Sequence, residues 1–363
     1  MGEIDLRAAE MKVLVTGATG RVGANMVKRL VNTQIPVRAM VAPGDPQRKK
    51  LDGFADIEIV EADLKDQARI VDACRGVSHV VHLAAQLVRG DTPVDEFYDT
   101  NAFGTLRLLE GVLRSGADIE RFVLASTEGT YRPGAPPATP LTEDVVQEPA
   151  DYYGTSKLLG EIILRNHAAQ FDIPFSIARL VTVVSPEEAP KLFQLPFMRA
   201  FLSWQAQGKN NHLWPLFHGQ PNLRDILDAA AVGCPDATAV GLVGPGGVPW
   251  AMHLLDVRDA VDGIYLALTE PAAVGRAFNV AAAASTTHDE GATVVSELLE
   301  LPKLVVEMPL TWRLEDSIEA ARTTLGYRPR HDYRSMVQTA VDVEPPAQTY
   351  VPADSKTGVG SLA

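Results

Sequence analysis

Lys12–Gly23 reads KVLVTGATGRVG, and the fold turns on how this stretch is read. Lys12 to Thr16 is a short apolar run of the kind that parallel sheets bury on both faces. It stops at Gly17. Gly17, Gly20 and Gly23 follow at GxxGxxG spacing, and Arg21 opens a segment with Val22, Met26, Val27 and Leu30 at helical spacing. Strand, glycine turn and helix in that order suit a dinucleotide pyrophosphate. One glycine makes the turn, one lets the backbone approach the phosphates, and one lets helix pack on strand. The helix N-terminus adds N–H donors and a positive dipole end. Gly17, Thr19, Gly20, Arg21, Val22 and Gly23 are therefore candidate cofactor-binding residues.

Outward from this turn the same rhythm continues. Strands are predicted at Val37–Val41, Ile57–Val60, His79–Leu83, Arg121–Ala125 and Phe175–Val184. Helices are predicted at Lys65–Cys74, Asn101–Arg114 and Tyr153–Ala169. Alternating strands and helices imply a parallel sheet covered on both faces. The expected fold class is α/β, a Rossmann-type doubly wound parallel sheet with a smaller C-terminal substrate-binding region. Residues 11–184 are read as the cofactor domain. Residues 185–343 are read as mainly substrate-binding, with some segments returning to the first domain. From about Glu344, Pro345, Pro346 and Pro352 predict a mobile tail or a surface strap over 344–363.

Composition narrows the function. The chain has 363 residues and a net charge of -13, which argues against a nucleic-acid or anionic-membrane surface. No apolar run approaches the roughly 18 residues that span a bilayer, and Met1–Glu10 lacks the apolar core of a secretory signal. Cys74 and Cys234 form no motif, so a cytoplasmic location is the expectation. His79 and His82 are three apart on a strand and face opposite ways, so no metal site is predicted.

Tyr153 and Lys157 are four residues apart, which puts both side chains on one helix face. A tyrosine with a reference pKa near 10 is a poor base at neutral pH. A nearby Lys cation and an oxidised nicotinamide both favour the phenolate, so Tyr153 can move a proton to or from a carbinol oxygen. The choice of nicotinamide cofactor rests on the second strand. It ends Met40-Val41-Ala42 with no carboxylate for a ribose 2'-hydroxyl, while Arg21, Arg38 and Arg48 are near in sequence. NADP is expected ahead of NAD, with Asp45 leaving NAD open.

With these motifs in order, the chain resembles the extended short-chain dehydrogenase/reductase family, also described as the NAD-dependent epimerase/dehydratase family. The resemblance covers roughly residues 11 to 340. It implies that Asp63 and Leu64 lie near the adenine. It places His82-Leu83-Ala84-Ala85 under the cofactor, with Leu83, Ala84 and Ala85 in contact. Asn101 takes the place of the Asn that opens a helix and organises a proton-relay water. Thr127 takes the catalytic Ser/Thr place, Tyr153 the general acid/base and Lys157 its partner, both also cofactor-binding, with Lys157 on the ribose hydroxyls, while Arg179-Leu180 begins the segment bordering the nicotinamide. A homodimer is also implied.

Departures from the family pattern bear on the substrate. Dehydratases carry Thr-Asp-Glu where this chain has Thr127-Glu128-Gly129, so dehydration is not expected, although Glu128 remains a possible acid/base. Nucleotide-sugar enzymes carry an Arg that clamps the substrate diphosphate. That place reads Met252-His253. Thr127, Glu128 and Met252 are candidate substrate contacts. Phe193, Phe197, Phe201 and Trp204 fall at helical spacing, and with Trp214 and Phe217 they suit either an apolar pocket or a plain core. The expectation is a secondary alcohol/ketone oxidoreductase acting on a small organic substrate. The alternatives are an NAD-dependent epimerase of a sugar or sugar derivative and a non-catalytic cofactor sensor.

Overall fold

The structure is a computed structural model and describes residues 11–88, 92–134, 136, 138–342 and 349–353. The reading of Met1–Glu10 and most of that of 344–363 lie outside the described residues. The first half runs β1 (Val13–Thr16), α1 (Arg21–Asn32), β2 (Val37–Val41), β3 (Glu58–Glu61), α2 (Gln67–Cys74), β4 (His79–His82), α3 (Val94–Phe97), α4 (Gly104–Ser115), β5 (Arg121–Thr127), α5 (Tyr152–Phe171) and β6 (Phe175–Leu180). The second half runs β7 (Thr182–Val184), α6 (Leu195–Ser203), α7 (Trp214–Phe217), α8 (Leu223–Ala230), β8 (Ala239–Val243), β9 (Ala251–Met252) and β10 (Leu254–Asp256). It ends with α9 (Val257–Thr269), β11 (Arg276–Val280), β12 (Thr286–Thr287), α10 (His288–Leu299), β13 (Lys303–Glu307), α11 (Glu319–Thr324) and α12 (Tyr333–Val341).

Seven parallel strands form the main sheet in the order β11-β6-β5-β4-β1-β2-β3. Chain order reverses between β1 and β4, which opens a crevice at the carboxyl ends of those strands. β1 is fully buried, as its apolar run predicts. One face of the sheet packs Val13, Val15, Met26 and Val27, and the other packs Leu14, Val80, Leu108 and Phe122. β11 and α9 come from the C-terminal half and complete this layer.

A third core lies beyond the sheet. It holds Phe193, Phe201, Phe217, Trp250, Trp312 and Tyr333, with β8 and β13 pairing beside it. Of the aromatic series, Phe197 and Phe201 lie on α6, while Phe193 precedes it and Trp204 opens the turn after it.

Two expectations change. The single strand over Phe175–Val184 breaks at Val181. Its neighbours supply partners only as far as Leu180, which stands opposite both Thr127 and Val280. Beyond it the backbone finds new partners, and β7 pairs in parallel with β10. The helix expected to open at Asn101 already runs from Val94, and Asn101 lies inside a wide π-helical stretch, Tyr98–Phe103, that joins α3 to α4. Of the tail, Thr349–Ala353 is a strap: Val351 exchanges hydrogen bonds with Asn25 of α1 at 2.7 and 2.9 Å. Among the described residues no helix is long and apolar enough to cross a membrane.

Candidate active site

The crevice is a cleft of about 450 Å3 lined by every residue from Thr16 to Gly23 except Ala18, and by strand ends across the sheet. Gly17 has φ +63°, and a Cβ there would stand 2.7 Å from the Ala84 nitrogen. A Cβ on Gly23 would stand 2.0 Å from the Gly17 carbonyl oxygen, so helix and turn meet only through glycine. Gly20 caps α1 without a side-chain hydrogen bond, and the first turn carries no acid. Its leading N–H groups are thus available to an anion. This cradle fits a dinucleotide pyrophosphate.

The resemblance-derived cofactor residues gather in the same place. Asp63, Leu64, Leu83, Ala84 and Ala85 all line the cleft. Thr16 Oγ1 accepts from the Leu83 and Ala84 N–H groups, both at 3.2 Å, and pairs with His82 Nδ1 at 2.7 Å. His82 Nε2 meets Thr105 Oγ1 at 3.2 Å. Burial and then the Lys157 charge push this imidazole down to about 3, so it is a neutral brace between β1, β4 and α4.

The arginines named for a 2'-phosphate are engaged elsewhere. Arg21 lines the cleft, but its guanidinium donates to the Val183 carbonyl at 3.0 Å and pairs with Glu188 at 2.7 Å. Arg38 is buried against Glu58 and the Ala73 and Arg75 carbonyls, and Arg48 pairs with Glu61. Asp45 faces the cleft instead, beside Gln47 and Lys50, and accepts from the Thr19 hydroxyl. The turn Ala42–Asp45 brings it there, closed by the Asp45 N–H on the Ala42 carbonyl at 3.2 Å.

Tyr153, Lys157, Thr127 and Glu128 line the cleft floor. Asp151 caps α5 by accepting from the Gly154 N–H at 2.7 Å, which starts the helix just before Tyr153. Thr127 Oγ1 accepts from the Gly129 N–H at 3.1 Å, and its hydroxyl lies near enough to the Tyr153 phenol to favour the phenolate. Electrostatics correct the simple picture of a lysine-activated phenolate. Burial raises the Tyr153 phenol above its ordinary value, with Asp151 and Glu128 repulsion adding and only the Thr127 hydroxyl opposing. Burial also pulls Lys157 down to about 8 against the attraction of Glu161. Desolvation outweighs the pairing, because both groups sit out of water.

Asn101 is buried and does not line the cleft. Its amide accepts from the Gln86 N–H at 2.8 Å and donates to the Gln86 carbonyl at 3.1 Å and Ser156 Oγ at 2.8 Å. It thereby ties the chain after β4 to α5, next to Lys157. Arg179 is likewise internal: it forms two bonds to Glu161, at 2.8 and 3.0 Å, and donates to the Tyr131 hydroxyl at 2.7 Å. Leu180 to Val183 supply the cleft wall instead.

A second cavity adjoins the first, and Thr127, Glu128, Tyr153 and Thr182 line both. Beyond them it is mainly apolar, with Phe197, Phe201, Trp204, Met252 and Trp312 among its walls, and Asp151, His212 and His288 add polar groups. Phe193, Phe197, Phe201 and Trp204 are thus core and pocket wall at once, whereas Phe217 is core alone and Trp214 lines neither. Arg258 does not replace the missing clamp, since it pairs with Asp256 at 2.7 Å. Glu128 faces Asp316, which comes from the far end of the chain. Burial raises both carboxyls and their mutual repulsion adds to it for Glu128, so the pair retains a proton more readily than ordinary acids do. Asp45 is the residue that left NAD open in the sequence, whereas Asp316, His212 and His288 were missed there, and none of those three carries a local signal. Among the described residues no three His, Cys, Asp or Glu side chains cluster as metal ligands.

Comparisons with known proteins agree with this arrangement. Residues 13–233 match the model of the NAD dependent epimerase/dehydratase family. A UDP-glucose 4-epimerase of Azospirillum brasilense is 31% identical over 195 residues, covering 52% of this chain and 54% of that protein. A UDP-glucose 4-epimerase of Corynebacterium glutamicum is 30% identical over 48% of this chain and 51% of its own. The chain therefore spans about half the length of these two curated relatives. A short-chain dehydrogenase/reductase superfamily protein from Agrobacterium tumefaciens, crystallised with NAD, is 30% identical with a TM-score of 0.77, covering 91% of this chain and 95% of that one. A UDP-glucose 4-epimerase from Thermotoga maritima, 19% identical with a TM-score of 0.68, covers 91% of this chain and 97% of its own and shares the fold.

Proposed function

The chain belongs to the NAD-dependent epimerase/dehydratase family, of the extended short-chain dehydrogenase/reductase type, and from that premise we propose that it oxidises a secondary carbinol to a ketone and reduces the same carbon again, as an epimerase does. Net oxidoreduction is the first expectation from the sequence. The epimerase relatives support the alternative better. The observation that carries the chemistry is the position of Thr127 and Tyr153 on the seam between the cofactor cleft and the second cavity.

A bound nicotinamide supplies the hydride acceptor and donor. The protein's own residues handle the proton. Thr127 holds the substrate oxygen, and Tyr153 exchanges its phenolic proton with that oxygen. By itself the buried phenol stays protonated, ready to donate. Positive charge is needed to make it a base, and Lys157 supplies it below about pH 8. Asn101 acts as a positioning residue through Ser156. The cofactor contacts are Gly17, Thr19, Gly20, Val22, Gly23, Asp63, Leu64, Leu83, Ala84 and Ala85, with Arg21 held by Glu188 at the rim. Asp45 in the cleft and the engagement of Arg21, Arg38 and Arg48 favour NAD over the NADP expected from sequence.

We assign residues 11–184 with β11 and α9 to the cofactor side, and the remaining C-terminal elements to the substrate side. A homodimer is proposed through α4 and α5, where Phe103, Leu159 and Ile162 are exposed. Sedimentation of an Ile162→Glu variant as a monomer, against a dimeric parent, supports that; a monomeric parent refutes it.

The reaction is tested by two measurements on one preparation. Denaturation of the purified protein is expected to release NAD in near-stoichiometric amount. Substrate turnover, followed by NMR of the product, is expected to leave no net NADH. Accumulation of NADH in step with product would instead establish net oxidoreduction, the reading that the apolar second cavity favours.

A further inference from the structure

His288 opens α10 and is only 1% exposed. Its backbone N–H donates to the Trp250 carbonyl at 2.8 Å, but neither ring nitrogen has a hydrogen-bond partner. Four aromatic rings surround it: Phe193 at 5.4 Å, Trp250 at 5.7 Å, Trp312 at 6.2 Å and Phe201 at 6.3 Å between centroids. Neither indole N–H is turned toward it. Trp250 Nε1 donates to the Leu310 carbonyl and Trp312 Nε1 to the Pro133 carbonyl. Burial holds the imidazole neutral, down to about 3. A neutral imidazole keeps one N–H donor and one lone pair. Leaving buried polar atoms unmet is costly, so an apolar residue would pack here at less cost. The ring lines the second cavity, whose mouth is formed by Thr127 and Tyr153.

The rest of that cavity limits what can enter. No Lys or Arg lines it, so nothing there offers a diphosphate a cation, and its acidic groups are Glu128 and Asp151. Its volume of about 70 Å3, well below the roughly 300 Å3 of common ligand pockets, takes one end of a small ligand whose remainder stays at the seam with the cofactor cleft.

We propose that the second cavity receives the uncharged, mainly apolar end of a small hydroxy- or keto-compound, and that His288 hydrogen-bonds a second oxygen on it. The aromatic rings take the carbon skeleton and the imidazole fixes its register, while Thr127 and Tyr153 hold the reacting carbinol. The assignment rests on the reaction proposed above only for that last clause. It names the substrate class of the same site, and it separates this chain from enzymes whose substrate is anchored by a diphosphate.

The test titrates the full chain with NAD present, reading the fluorescence of the tryptophans beside the cavity. The probes are cyclohexane-1,4-diol, cyclohexane-1,3-diol, cyclohexanol and UDP-glucose. At least one diol is expected to bind about tenfold more tightly than cyclohexanol, the equivalent of one hydrogen bond to a buried neutral group. His288→Phe is expected to erase that preference while leaving cyclohexanol affinity within about twofold. His288→Gln, which keeps a donor and an acceptor, is expected to retain part of it, and this variant decides the matter where the phenylalanine variant does not fold. The proposal is overturned by a diol preference that survives His288→Phe, by its absence in the parent, or by UDP-glucose binding more tightly than both diols. Tyr153→Phe separates the two readings. Turnover that persists in that variant, with the diol preference intact, sinks the reaction assignment and leaves the His288 assignment standing.

Discussion

The two cavities that meet at Thr127 and Tyr153 are built on opposite principles. The cofactor cleft is made of backbone: a glycine turn, an uncapped helix start and strand ends in register. The second cavity is made of side chains from segments far apart in sequence, Phe201 on α6, Met252 on β9, His288 on α10 and Trp312 beyond β13. The first fits a ligand part common to a whole family. The difference teaches where change is tolerated: an altered aromatic wall leaves the sheet intact, whereas a side chain at Gly23 strikes the turn itself.

The comparison can be broken most severely at the seam. Tyr153→Phe removes the proton carrier and should lower turnover by about 10²- to 10⁴-fold, while NAD affinity from nicotinamide fluorescence stays within about threefold. Equal losses in both would mean that Tyr153 serves the cofactor side alone.

Arg179→Met tests the internal frame between α5, β6 and the second layer. It removes the closer cation from the almost fully buried Glu161 carboxylate, leaving only Arg165 at 4.0 Å, and should cost about 3 kcal/mol in denaturant unfolding. A cost below about 1 kcal/mol, the range of exposed pairs, would show that the frame is not closed to water.

Lys157 gives a pH signature. Its folded value of about 8 lies below the 10.5 of the free side chain, so the unfolded chain binds more protons between those values. Stability contributed by this site therefore rises as pH climbs from about 8 to about 10.5, by up to a few kcal/mol. Lys157→Met should remove that rise and stabilise the protein at pH 7, while impairing turnover. Parallel stability curves for parent and variant would contradict the burial-driven shift.

Asp45→Asn makes the mildest change. It should weaken NAD binding by about tenfold, the loss of one charge-assisted bond, and narrow the preference for NAD over NADP. A parent that prefers NADPH in the same titration returns the choice to the sequence reading.

Much of the first cavity was legible because its requirements are local. Gly17, Gly20 and Gly23 sit within seven residues, and the motifs that follow keep a fixed order along a right-handed α/β winding. Tyr153 and Lys157 are one helical turn apart, so their shared face follows from the 3.6-residue period. The cofactor preference was less legible. The arginines were near in sequence, but their carboxylate and carbonyl partners were not.

By itself, then, the sequence determined the parallel sheet, the glycine cradle and the Tyr/Lys face, since each is written in short-range spacing and apolar runs. Only the tertiary structure decided that β6 ends at Leu180, that Asn101 bonds Gln86 and Ser156, and that Glu128 meets Asp316. It alone enclosed His288 among four aromatic rings. The physical reason is desolvation. Whether a polar group is paired, neutral or left without a partner depends on which distant segments exclude water from it, and no local spacing records that.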